Sequence, residues 1–75
     1  MRRTQFHKCL LSLAAAHDVS GIKGICKDTG IPYQTMQTRL RDPRGLRWYE
    51  YLGIVDELHL DKDEESELQR AIKAF

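Results

Sequence analysis

At 75 residues, 41% hydrophobic and 31% charged, the chain has the length of one small domain and too much apolar content for a disordered one. No apolar run approaches the roughly 20 residues a membrane helix needs, and Arg2-Arg3 leads into a short mixed segment rather than the apolar stretch of a signal peptide, so a cytoplasmic setting is expected. The net charge of +1 hides a division: through Arg47 nine bases face three acids, about +6, whereas from Trp48 onward three bases face eight acids, about −5.

The first element is a helix from about Thr4 to His17. Phe6, Cys9, Leu10, Leu13 and Ala14 recur at three- and four-residue steps, and Ala14-Ala15-Ala16 favours helix strongly. Cys9 and Cys26 form no CxxC pair and lie in apolar helical patterns, which predicts buried free thiols rather than a disulfide. His7 and His17 stand at no recognised ligand spacing, so neither a metal site nor any cofactor is expected.

Asp18-Val19-Ser20-Gly21 connects to the next segment, with Ser20 or Gly21 as its cap. From Gly21 to Arg41 the chain reads as two brief helices about a tight turn, the helix-turn-helix arrangement. Gly30 sits where the first of these must end in a left-handed residue, which costs glycine nothing. Ile31 is expected to tuck under the turn, and Pro32 or Tyr33 to open the next helix. Met36 and Leu40 define its buried face. The opposite face carries Gln34, Gln37, Thr38 and Arg41 with Tyr33 at its edge, and it holds no acid. Lys23 falls in the first turn of its helix, where the dipole disfavours a cation unless an anion is held nearby.

In this stretch the chain resembles the lambdoid-phage Cro and repressor type of helix-turn-helix protein, the wider XRE-like group. The residues that carry the resemblance are Ile25-Cys26, Gly30-Ile31, then Tyr33, Gln34, Thr35, Met36 and Leu40, closed by Asp42-Pro43. Cys26 takes a position usually held by alanine, Ile22 one often held by glutamine, and Gly24 one held by an ordinary helix former. The resemblance covers about Phe6 to Leu60, with a specific motif of about twenty residues. It implies a lambda-repressor-like DNA-binding domain, with base contacts on Tyr33, Gln34, Gln37 and Thr38. Glutamine can pair in bidentate fashion with adenine, and threonine can meet thymine. Lys23, Arg39, Arg41, Arg44 and Arg47 are expected to neutralise phosphates. The resemblance further implies a homodimer on a near-palindromic operator, in a phage, prophage or bacterial regulator that represses transcription.

Asp42-Pro43-Arg44-Gly45 ends the groove helix, since proline disfavours helical geometry in the residue before it. A fourth helix is predicted over residues 46–59, with Trp48, Tyr51, Leu52, Val55 and Leu58 on its core face and Ile54 at the edge. A fifth is predicted over residues 62–74, opened by Asp61 and Glu64 in capping-box form. Leu68, Ile72 and Phe75 make a narrow apolar stripe that either closes the core or meets a second subunit. The expected architecture is one all-α domain, residues 1–75, a bundle of about five short helices.

An enzyme is not expected. The chain has no phosphate-binding glycine loop, no paired carboxylates in an apolar setting and no nucleophile with an evident base, and no small-molecule substrate is implied. The competing expectation is a non-catalytic helical protein–protein interaction module, an anti-repressor or adaptor that reuses the helix-turn-helix skeleton. Antitoxin and excisionase roles stay open within the DNA-binding class.

Overall fold

A computed structural model describes residues 3–74. Five α-helices and one short 3-10 turn account for the regular structure, and no strand occurs among the described residues. The helices are α1 (Gln5–Ala16), α2 (Gly21–Thr29), α3 (Tyr33–Arg41), α4 (Trp48–Leu58) and α5 (Lys62–Lys73), with the 3-10 turn at Pro43–Gly45. The radius of gyration, 10.9 Å, matches the roughly 11 Å expected of a packed chain this long.

Helix α1 is the central strut, packed on α2 and α5 and touching α3. Thr4 caps it by accepting the His7 N–H at 3.1 Å, while the Thr4 hydroxyl donates to the Leu40 carbonyl at 2.6 Å. One side chain thus closes the start of α1 and occupies a carbonyl at the end of α3 that the helix itself leaves unpaired. Phe6, Leu10, Leu13 and Ala14 are buried as the periodicity predicts. Both thiols are free, but only Cys26 is buried and Cys9 is partly so. Burial pushes both thiols up, and the negative charge of Glu67 adds to the effect at Cys9.

At the far end of α1 the His17 ring lies 2.7 Å from a Glu64 carboxylate oxygen at the start of α5. The chain then turns through 82° into α2. Gly24 looks like a weak point in a nine-residue helix, yet the packing requires it. A β-carbon there would stand 2.8 Å from Val19 Cγ1. Gly24→Ala therefore trades about 1 kcal/mol of helix propensity against an overpacking cost of about 1–3 kcal/mol. We expect a net loss near 1 kcal/mol, read as a lower urea midpoint; a higher midpoint would contradict the packing argument.

Helix α4 differs from the sequence expectation. It begins at Trp48, because Leu46 and Arg47 are extended (ψ 126° and 154°). Its buried face is Glu50, Tyr51, Ile54 and Leu58, with Val55 partly buried, whereas Trp48 is 72% and Leu52 39% exposed. The helix is rotated by roughly 80°, almost one residue step, so Ile54 lies central rather than at the edge. Glu50 explains the rotation. Its carboxylate accepts Arg39 Nε at 3.0 Å and the Arg47 N–H at 2.8 Å, so a charged residue occupies the interior with its bonds satisfied.

Helix α5 opens with the expected reciprocal box: Glu64 N–H donates to Asp61 at 2.8 Å and Asp61 N–H to Glu64 at 3.1 Å. Leu68 is fully buried and Ile72 partly, while Gln69 donates to the Tyr51 hydroxyl at 2.9 Å. The stripe closes the core as far as Ile72; Phe75 lies outside the described residues. Among the described residues no buried side-chain polar atom lacks a partner.

Candidate nucleic-acid interface

The segment from α2 to α3 is built on its turn. Gly30 takes the left-handed conformation, φ 78°, and its N–H returns to the Cys26 carbonyl at 2.9 Å. The Thr29 hydroxyl donates to the Ile25 carbonyl at 2.8 Å and accepts the Ile31 N–H at 3.3 Å. Ile31 is buried beneath the turn. Pro32, with ψ 141°, stands just outside α3, whose first helical residue is Tyr33. With Met36 and Leu40 inside, α3 is held from below by the core, at its end by Thr4, and from the side by the pair Arg39–Glu50.

The outer face of α3 is polar, free of acid and largely exposed. Gln34, Thr38 and Arg41 are exposed and Gln37 is half-buried. Tyr33 is 46% exposed, so it belongs to the surface and not to the core. The Lys23 ammonium lies 6.0 Å from its ring centroid, at the outer limit of a cation–π contact. The Thr38 hydroxyl donates to the Gln34 carbonyl at 3.2 Å, which leaves its oxygen as an acceptor. No acid lies in the first turn of α2 or α3.

The five expected phosphate-binding residues divide. Lys23 and Arg41 are exposed. Lys27, four residues after Lys23 on the same face of α2, is also exposed and was not singled out by its sequence context. Arg44 is exposed but holds Asp42 in a two-pronged pair, Nε and Nη2 each 2.9 Å from a carboxylate oxygen. Those side-chain hydrogen bonds hold the Asp42 carboxyl below its usual range. To reach a phosphate Arg44 must share or exchange that partner. Arg47 is exposed at the start of α4 and borders the clefts on both sides of that helix. Arg39 is different. Its side chain is only 18% exposed and is committed to Glu50, so its assignment to a phosphate is not carried forward.

Two large aromatic residues on α4 lie at the surface, against the expectation of core packing for Trp48. Trp48 stacks on Tyr51 with ring centroids 5.5 Å apart and planes 21° from parallel, and Tyr49 is 68% exposed. No family model matches the chain, and no curated protein or solved structure matches it either. Its functional reading therefore rests on the residues themselves.

Proposed function

We propose that this chain is a helix-turn-helix protein that binds double-stranded DNA sequence-specifically, with α3 as the helix that enters the major groove. The observation that carries the reading is the outer face of α3, an acid-free row of hydrogen-bonding side chains on a helix seated on the core and tied down at its C-terminal end. With a diameter of about 10–12 Å including side chains, α3 fits within a major groove about 12 Å wide. Tyr33, Gln34, Gln37 and Thr38 are assigned to base edges, with the first two nearest the N-terminal end that such helices present to the bases. Lys23, Arg41 and Arg44, joined by Lys27, are assigned to phosphates, where they position the protein without reading sequence; Arg47, the residue that opens α4, is not among them.

A single domain of this size reads few base pairs, so the protein acts as a homodimer on two half-sites about 34 Å apart. In keeping with its resemblance to Cro-type proteins, it serves as a phage, prophage or bacterial regulator that represses by occluding a promoter.

The test is a salt titration of binding to a duplex. With four phosphates neutralised per subunit, log affinity falls against log salt with a slope of about −3.6 per subunit. Arg41→Ala is expected to make that slope shallower by about 1 and to weaken all sequences alike. A slope near zero in the wild type would remove the electrostatic half of the proposal.

A further inference from the structure

We propose that the outer face of α4 is the surface on which two copies of this chain pair, helix against helix and antiparallel. The inference deepens the DNA-binding reading, because it names the partner surface that a two-half-site complex needs.

Exposed large hydrophobic side chains cluster on α4. Trp48, Tyr49 and Leu52 are 72%, 68% and 39% exposed. Residues 48 and 52 are one helical turn apart, as are 49 and 52, so the three form one contiguous patch. This patch is a ridge between two clefts. On the Trp48 side a cleft of about 450 Å³ runs against α5, floored by Pro43, Leu46 and Ile72. On the Tyr49 side a cleft of about 360 Å³ runs against the α2–α3 turn. Ridges flanked by grooves are what packed helices exchange. A stable pair buries roughly 800 Å² per copy, about a sixth of the 5125 Å² surface, so the ridge and its flanks would have to be covered together.

Charge selects a second copy as the occupant. The ridge is basic where it begins, at Arg47, and acidic where it ends, at Asp56, both exposed. Among the described residues Arg47 and Asp56 make no ion pair within the chain. A two-fold axis through the middle of α4, near Leu52, sets each basic end against the acidic end of the other copy. Leu52 then packs against the second copy's Leu52, with a Trp48 one helical turn away on either side. A parallel arrangement would oppose like charges at both ends, so the surface is self-complementary in one direction only. A uniformly acidic or basic partner would match one end and be repelled by the other.

The experiment is sedimentation velocity of the protein without DNA, from low micromolar to roughly 100 μM, with helical content followed by circular dichroism. The wild type is expected to associate to a dimer, and Leu52→Glu to remain monomeric with unchanged helicity. Arg47→Glu and Asp56→Arg should each weaken association by about ten-fold, and combining them should restore most of it. That double variant keeps the proposal testable if Leu52→Glu fails to fold. A wild type monomeric at the highest concentration overturns the proposal, as does a dimer indifferent to Leu52→Glu or a combined charge exchange that gives no recovery. DNA binding is read separately: Leu52→Glu should retain affinity for a single half-site, so loss of self-association and loss of DNA recognition are distinguishable.

Discussion

Glu50→Ala is expected to cost about 3 kcal/mol of folding stability and to lower the melting temperature by roughly 15 °C. Glu50 is 2% exposed. It accepts two hydrogen bonds, from Arg39 Nε and from the Arg47 N–H that opens α4. Alanine would strand a guanidinium that is only 18% exposed and leave a helix-terminal N–H without its acceptor. Removing one partner of a buried pair costs more than removing both. Arg39→Met combined with Glu50→Leu should therefore lose less than the two single changes summed. Thermal melts of wild type, Glu50→Ala, the two single changes and their combination decide the matter, and a Glu50→Ala melt within a few degrees of wild type would show the pair to be dispensable. The pair joins the last turn of α3 to the first turn of α4. Its loss should loosen the angle at which α3 is presented, while Arg39 substitutions leave the slope of the salt dependence unchanged.

The second large effect is expected from Gln34→Ala with Gln37→Ala. Each glutamine that pairs with an adenine contributes about 1–3 kcal/mol of discrimination. The double variant should lose roughly a hundred-fold or more in preference for its operator over random duplex. Stability should barely change, since Gln34 is exposed, Gln37 half-buried, and alanine is the better helix former. The salt slope should also persist, because the cations stay in place. Competition binding against random duplex reads the preference. An interaction module that docks on protein would show the reverse pattern, with Gln34 and Gln37 dispensable and the acidic residues of α5 critical.

Much of the fold is legible in the chain because its signals are local. The three- and four-residue spacing from Phe6 to Ala14, the left-handed Gly30, and the Asp61–Glu64 box each depend on residues within a few positions of one another, and each is found as expected. What escapes is the product of distant pairing. The interior face of α4 is displaced because Glu50 is neutralised by a residue eleven positions earlier, which no apolar count over residues 46–59 registers. The same pairing withdraws Arg39 from the set of exposed arginines. Gly24 reads as a poor helix residue until Val19 is seen folded against it. The α3 surface was readable in advance because amphipathicity sorts Met36 and Leu40 from Gln34 and Thr38 without help from elsewhere in the chain.

The central claim is that α3 reads DNA sequence, and binding to the DNA around the protein's own coding region, titrated with salt, tests it most directly. The expected result is tight, salt-sensitive binding to one short near-palindromic segment, well above binding to random duplex. Binding that ignores sequence, or no binding even at low salt, would contradict it.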